Sequence, residues 1–172
     1  MRWIQQGSMG SNMQDQDACS GARDTGRKAN IFDDPLAQEA WRTYARLHTR
    51  LFPYLDALAV EAHATGAPVM RHPFLEHPDR VDLAGADDWY YLGTSLLVAP
   101  VVERGAIRRD LALPAGRYLD WDDHTVLDGV TTVTLDAPLE KLPLLLLDGG
   151  LIPLLDPTID TLAEETNAEV IG

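Results

Sequence analysis

The stretch GAPVMRHPFLEHP, residues 66–78, decides how the rest of the chain is interpreted. It begins with a short apolar run and continues with one arginine, two histidines, a glutamate and prolines. The run APVM is too short for a helix and is typical of a buried strand. His72, Glu76 and His77 look like acid–base reagents, but their spacing matches no known motif. The stretch is therefore either the rim of an active site or a buried strand leaving a core.

The residues before this stretch have the pattern of a helical region that ends at Gly66. Asp34 is a suitable N-cap, and Pro35 is a suitable first helical residue because its missing N–H costs nothing there. Apolar residues then recur at spacings of three and four, as in an amphipathic helix. Pro53 predicts a kink or two abutting helices. A helix followed at once by a short apolar strand indicates the α-to-β step of a parallel α/β unit.

The residues after Val102 change character and predict short strands separated by turns. Pro-Ala-Gly, Asp-Asp, Asp-Gly and Gly-Gly recur about every 8 to 12 residues, which favours an antiparallel sandwich or barrel. This places a boundary near residues 100–104. The glycines of LDGGLIP are interpreted as a hairpin turn, since no lysine or helix start follows them. Residues 1–33 are predicted to be loop, and the polar tail indicates a chain cut short.

Composition and charge restrict the class of protein. The chain has 172 residues, is 45% hydrophobic and carries a net charge of -13. That charge repels phosphate backbones and anionic lipid surfaces, so neither nucleic acid nor membrane is an expected partner. The chain's one cysteine excludes an intramolecular disulfide. We expect a cytoplasmic protein.

The candidate chemical groups form no recognisable reagent set. The five histidines lack metal-ligand spacing, and no nucleophile elbow or phosphate loop is present, so no metal or cofactor is expected. Acids such as Asp87 and Asp88 could lie near a cleft, but a solvated or capping role is commoner. The aromatic residues Trp89 and Trp121 could stack on sugars, although such residues more often pack in a core.

Three segments in order resemble glycoside hydrolase family 31, the α-glucosidases, α-xylosidases and relatives. They are YARLHTRLFPYLDALAVEAHATGAPVMRHPFLEHP, DDWYYLGTSLLVAPVVERGAIRRDLALPAGRYLDW and APLEKLPLLLLDGGLIPLL. The resemblance implies a fold that is α/β followed by all-β: the C-terminal portion of a (β/α)8 TIM barrel plus an antiparallel β-sandwich domain. Residues 34–100 would be the last helix–strand units of the barrel, with Pro68, Val69 and Met70 filling its interior. Residues 101–172 would be a truncated proximal sandwich.

The resemblance also implies a function, the hydrolysis of α-linked glycosides by a retaining mechanism. The family's nucleophile lies in a D-M-N-E-like motif and its general acid is a second aspartate, and this sequence contains no such motif. We therefore predict no catalytic residue in this chain and no activity for the chain alone. Asp17, at the place of a sugar-contacting histidine, and Arg71, at a strand end, are the candidate substrate-binding residues. For Arg71 an ion pair with a nearby acid is favoured.

Two further expectations remain open. The alternative function is a non-catalytic carbohydrate-binding or interaction module built on the sandwich, with Tyr118 and Trp121 as exposed aromatic residues. The partner of the intact enzyme would be an α-linked oligosaccharide or glycoside. In isolation, the strands in APVM and SLLVAPVV would lack their barrel neighbours, which predicts self-association through unpaired edges.

Overall fold

A computed structural model describes residues 1–14 and 31–162, together with the backbone of residues 168–171. Its helices are α1 (Arg2–Ser8), α2 (Pro35–Arg50), α3 (Phe52–Thr65) and α4 (Pro73–Glu76), with short 3-10 helices at Ile31–Asp33 and Val81–Gly85. Residues 2–8 are thus helical where the sequence predicted loop, because α1 packs against α2 and buries Gln5 and Ser8. No helix in the described ranges is long and apolar enough to cross a membrane.

The start, break and end of the long helical region follow the local sequence signals. The Asp34 side chain accepts a hydrogen bond of 2.9 Å from the Leu36 backbone N–H, and Pro35 is the first residue of α2. The region divides into two abutting helices at Leu51, just before Pro53. Gly66 ends α3 with a φ of 79°, in the left-handed region where glycine is favoured. All three predictions for this region are confirmed.

The described residues contain ten strands after α3, and every described pair is antiparallel. They are β1 (Met70–Arg71), β2 (Tyr90–Leu92), β3 (Leu96–Val98), β4 (Arg108–Ala112), β5 (Arg117–Asp120), β6 (Val126–Asp128), β7 (Thr132–Asp136), β8 (Leu144–Leu147), β9 (Ile152–Leu155) and β10 (Ala168–Ile171). One six-stranded sheet has the order β1-β2-β3-β8-β5-β6. β4 pairs with β7, and β9 pairs with β10.

The parallel α/β step predicted after Gly66 is not seen among the described strands, which all pair antiparallel. Met70 pairs antiparallel with Leu92, and β2 returns as β3 through a tight turn at Gly93. β3 in turn lies between β2 and β8, so SLLVAPVV does not lack neighbours. The six-stranded sheet therefore continues across the boundary drawn near residue 100.

The wholly apolar strands are explained by a sheet covered on both faces. Alternate residues of a strand point to opposite faces. Leu96 and Val98 pack with α2 and α3, whereas Leu97 packs with β4 and β7. β8 alternates in the same way. The result is a layer of helices, a central sheet and an outer two-stranded sheet, in agreement with the predicted antiparallel sandwich.

The glycine turn of LDGGLIP is present but does not form a hairpin. Gly149 has a φ of 79°, as a tight turn requires. β8 before the turn belongs to the six-stranded sheet, and β9 after it pairs with β10. The hairpin interpretation is therefore wrong, because the turn transfers the chain from one sheet to another.

Candidate functional site

A cavity of about 620 Å³ opens where β1 ends. Its wall comes from four separate segments: α1, the β1 exit at residues 70–72, residues 86–90, and residues 100–102. Apolar and aromatic side chains predominate, with Arg71 among the few charged groups. A concave, mostly apolar surface with few convergent polar groups is the usual form of a binding site.

Arg71 is buried and its guanidinium is held by three acceptors. Its Nη2 lies 2.7 Å from Glu61 Oε2, and its Nη1 lies 3.3 Å from Glu76 Oε1. Its Nε donates to the Pro68 backbone oxygen at 2.9 Å. These contacts join the end of α3, the exit of β1 and α4. The ion pair favoured from the sequence is confirmed.

His72, Glu76 and His77 do not converge on one point as reagents would. The His72 Nδ1 accepts a hydrogen bond of 3.1 Å from the Phe74 N–H and caps α4. His77 Nε2 lies 3.0 Å from the hydroxyl oxygen of Tyr91, and burial raises the pKa of that tyrosine. Each of the two histidines therefore fixes local structure. Among the described residues, no group of three His, Cys, Asp or Glu side chains could hold a metal ion.

Arg109 fixes two lining segments of the cavity and was not among the residues predicted from the sequence. Its Nη2 lies 2.8 Å from both the backbone oxygen and the Oδ1 of Asp88, while its Nη1 donates to the Pro100 backbone oxygen. The sequence pattern could have indicated this residue. Arg109 and Leu111 occupy the inward-facing positions of β4, whose residues alternate between exposed and buried. An arginine at an inward position of an alternating strand predicts a buried partner. Asp88 thus neutralises a buried charge.

Helix α1 is held firmly against the sandwich and presents Trp3 at the cavity rim. Arg2 donates to the backbone oxygens of Ala137 at 2.7 Å and Lys141 at 2.8 Å, and burial lowers its pKa. Gln5 donates to the Leu139 backbone oxygen at 2.8 Å. Trp3 on the same helix is nevertheless 86% exposed. These contacts lie more than 130 residues away along the chain, so no local pattern in residues 1–33 indicates them.

A second carboxylate cluster lies in the β5–β6 turn and is neutralised by a lysine. Lys141 Nζ lies 3.0 Å from Asp120 Oδ2 and 3.5 Å from Asp122 Oδ2. Asp120 Oδ1 also accepts a hydrogen bond of 2.9 Å from the Asp122 N–H. Burial raises the pKa of Asp122, while Lys141 opposes that rise. The arrangement stabilises the turn and presents no free acid–base pair.

The aromatic residues proposed for sugar stacking are packed within the fold. Tyr118, predicted to be exposed, is buried and donates to the Pro114 backbone oxygen at 3.1 Å. Trp121 is partly buried against the core between helices and sheet. Trp89 is also buried, in edge-on contact with Tyr91. The alternative binding module therefore loses its exposed Tyr118, because β5 turns this side chain toward the outer sheet.

The two predicted substrate-binding residues have different outcomes. Asp17 lies outside the described residues. Arg71 lines the cavity, and Met70 beside it is exposed although the resemblance placed it in a barrel interior. Met70 is exposed because no described element covers this side of β1. Binding of a sugar by either residue stays a prediction.

Comparison with protein families and characterised sequences gives a consistent result. The model of the glycosyl hydrolase family 31 C-terminal domain matches residues 66–152. A probable alpha-glucosidase of Oryza sativa is 34% identical over 92% of this chain. Alpha-glucosidase 2 of Bacillus thermoamyloliquefaciens is 36% identical over 67% of it. The chain spans only 18% and 15% of the lengths of these two relatives.

Solved structures show the same relationship. A family 31 dextranase of Flavobacterium johnsoniae, complexed with glucose, is 36% identical, with a TM-score of 0.72 over 80% of this chain and 17% of its own. The cycloalternan-forming enzyme of Listeria monocytogenes is 22% identical and superposes over 98% of this chain and 17% of its own, with a TM-score of 0.87. The second likeness concerns the fold alone.

Proposed function

The chain belongs to glycoside hydrolase family 31, and on that premise we propose that it is the C-terminal part of a retaining α-glycosidase that acts on α-linked glucosides. The observation that carries the proposal is the family match over residues 66–152, together with α-glucosidases among the relatives. The finer fold belongs to the same proposal: residues 34–100 complete a TIM barrel and residues 101–172 form the proximal sandwich.

The chain's own contribution, on this proposal, is to build and hold one wall of the substrate site. Arg71 fixes the exit of β1 through Glu61 and Glu76, and Arg109 fixes residues 86–90 through Asp88. Pre-formed walls of this kind position a substrate without further ordering cost. Asp17 and Arg71 are proposed as sugar contacts, the latter on the ground that it lines the cavity.

The reaction itself would be carried out by two aspartates that the remainder of the enzyme supplies. In a retaining glycosidase one carboxylate attacks the anomeric carbon and the other protonates the leaving oxygen, then activates the water that hydrolyses the glycosyl-enzyme. Two described carboxylates line the cavity, Asp87 and Asp88, and Asp88 is paired with Arg109. The reaction needs two carboxylates that flank the scissile bond, and Asp87 alone does not supply that pair. We therefore propose that the isolated chain is inactive.

The test uses p-nitrophenyl α-glucoside. The purified chain should release no nitrophenol above background, whereas a chimera should hydrolyse the substrate when this chain replaces the aligned segment of the Bacillus thermoamyloliquefaciens alpha-glucosidase 2. Turnover by the purified chain would refute the claim of inactivity. A folded chimera that binds no glucoside and hydrolyses none would refute the function.

The expected partner classes follow from charge. We propose that the protein binds neither nucleic acid nor anionic membranes, because a net charge of -13 repels phosphate groups. A cytoplasmic location is proposed as well and does not follow from the charge. The partner of the intact enzyme would be an α-linked oligosaccharide.

A further inference from the structure

A smaller pocket of about 250 Å³ lies beside the large cavity, at the start of β4. It is lined by Asp88, residues 101–103, Ala106 and residues 108–110, and we call it the β4 pocket. Asp88, Val101 and Val102 border the large cavity as well, whereas the other lining residues do not. Residues 70–72, at the exit of β1, line only the large cavity of these two. The β4 pocket is therefore a separate space from the proposed substrate site.

The charged groups of the β4 pocket are of both signs. Arg109 is buried and paired with Asp88 at 2.8 Å. Arg108, Glu103 and Asp110 are exposed side chains that also line the pocket. Because guanidinium and carboxylate groups surround one small space, neither an anion nor a cation meets a field of uniform sign there. The side chains favour a neutral ligand that both donates and accepts hydrogen bonds.

The backbone of β4 adds donors and acceptors to the same pocket. β7 is the described neighbour of β4, and Ile107 accepts a hydrogen bond of 2.8 Å from the Ala137 N–H across this pair. The bonding direction alternates along an antiparallel strand, so the backbone groups of Arg108 and Asp110 point to the opposite edge. No described strand pairs with that edge. A ligand in the β4 pocket therefore meets amide and carbonyl groups as well as charged side chains.

Arg109 provides an independent indication of a ligand. Its side chain is only 7% exposed, and its two terminal nitrogens contact Asp88 and the Pro100 backbone oxygen. Its Nε is buried and has no acceptor among the described residues. A buried donor without an acceptor is destabilising, so an oxygen atom placed beside it is bound favourably. The β4 pocket thus lies against a donor that is not yet satisfied.

We propose that the β4 pocket is an accessory carbohydrate site that takes one sugar ring of the α-glucoside class. Sugar hydroxyls donate to carboxylates and accept from N–H groups, and the pocket supplies both. Val101, Val102 and Ala106 add apolar surface for the C–H groups of the ring. The volume is below the roughly 300–1,000 Å³ of sites for drug-sized ligands, which limits the ligand to about one ring. The polar chemistry is independent of the proposed function, whereas the choice of an α-glucoside rests on it.

The position of this site has a consequence for the large cavity. A sugar in the β4 pocket would touch Asp88 and Arg109, the ion pair that holds residues 86–90. Residues 86–90 line the large cavity. The accessory sugar would therefore bind directly behind one wall of the substrate site.

The experiment is an NMR titration of the ¹⁵N-labelled chain with methyl α-D-glucoside, up to about 20 mM, well above a millimolar Kd. The backbone amides of residues 101–110 should shift saturably. Ala106→Phe, which fills the pocket, should raise the Kd at least about tenfold, and Glu103→Ala, at an exposed position, at least about threefold. Two controls should leave the Kd unchanged: Ala57→Phe on an exposed face of α3, and Trp3→Ser in the large cavity.

Several outcomes would overturn the inference. Shifts confined to residues 70–72 would place the sugar in the large cavity alone. Shifts of residues 101–110 that acetate or ethylamine reproduces would assign the pocket to a charged ligand. A response that stays linear to about 20 mM would show no specific binding. If Ala106→Phe does not fold, Glu103→Ala decides, and an unchanged Kd for that variant refutes the site.

The result is separable from the proposed function. Saturable shifts of residues 101–110 together with a folded but inactive chimera would retain the accessory site and refute the glycosidase assignment. An active chimera without those shifts would retain the assignment and refute the accessory site.

Discussion

Replacing Gly93 by alanine should disrupt the contact that holds α3 against the β2–β3 turn. Gly93 has a φ of 59°, in the left-handed region, and its N–H donates to the Val69 backbone oxygen at 2.8 Å. A Cβ at this position would lie 2.5 Å from Leu58 Cδ2 and 2.5 Å from the hydroxyl oxygen of Tyr54. That hydroxyl also donates to the Leu92 backbone oxygen at 2.7 Å, so it cannot move away freely.

The loss of stability expected for Gly93→Ala has two parts, and the control Gly66→Ala has only the first of them. The left-handed conformation costs an alanine about 1–2 kcal/mol at either position, since Gly66 has a φ of 79°. Nothing lies within 4 Å of a Cβ built at Gly66, whereas Gly93→Ala overpacks the interface at a further cost of about 1–3 kcal/mol. We expect a total loss of about 2–5 kcal/mol for Gly93→Ala and about 1–2 kcal/mol for Gly66→Ala.

Urea unfolding followed by circular dichroism measures the free energy of unfolding of both variants. In thermal melts, Gly93→Ala should unfold about 2–12 °C below Gly66→Ala. Equal losses for the two variants would refute the reasoning, because only the contact with Leu58 and Tyr54 distinguishes them.

Three other predictions follow from the charged and phenolic groups. Lys141→Met should lower the free energy of unfolding by about 3–5 kcal/mol, because it leaves the carboxylate of Asp120 unpaired and that side chain is only 7% exposed. The control Arg108→Met breaks a pair in which both side chains are more than 70% exposed, and it should change stability by less than about 1 kcal/mol. Similar losses for the two would contradict this account. Arg71→Met should cost about 2–4 kcal/mol in urea unfolding, reduced by the partial exposure of Glu61, and a loss below about 1 kcal/mol would show that the clamp is dispensable. Burial raises the pKa of all five tyrosines, so the unfolded chain releases phenolic protons above pH about 10 that the folded chain retains. Stability should therefore fall as pH rises beyond that value, with phenolate absorbance rising in step with unfolding; ionisation that precedes unfolding would contradict it.

Features set by neighbouring residues were predictable from the sequence, and pairings between distant residues were not. The cap at Asp34, the break near Pro53 and the end at Gly66 depend on backbone geometry within a few residues. The wholly apolar runs Leu96–Val98 and Leu144–Leu147 have the sequence pattern of strands buried on both faces, and both of their faces are covered in the structure. A continuous apolar run reports burial on both faces but not what covers them. Helices on both faces would imply a parallel sheet, whereas here one cover is the β4–β7 pair, and the sheet is antiparallel.

In the candidate site, too, contacts between residues close in sequence were predictable and contacts between distant residues were not. The ion pair of Arg71 was predictable because acids lie near it in the sequence: Glu76 follows it by five residues and Glu61 precedes it by ten. The position of Trp3 at the cavity rim was not predictable, because α1 is held by hydrogen bonds to residues 137–141, which are distant in the sequence. Asp88 was named as a cleft acid without its partner, since Arg109 reaches it from another strand.

Two charged groups at the cavity, Arg71 and Asp88, have ion-pair partners, whereas two of its apolar side chains are exposed to water. Arg71 has its carboxylates, Asp88 has Arg109, and the Tyr90 hydroxyl donates to Gln6 at 3.2 Å. A buried ion pair is costly to break, because removing one partner leaves the other charge unpaired. Trp3 and Val102, by contrast, remain in contact with water. The stretch GAPVMRHPFLEHP therefore holds the exit of β1 in place, because Arg71 pairs with Glu76 and His72 caps α4.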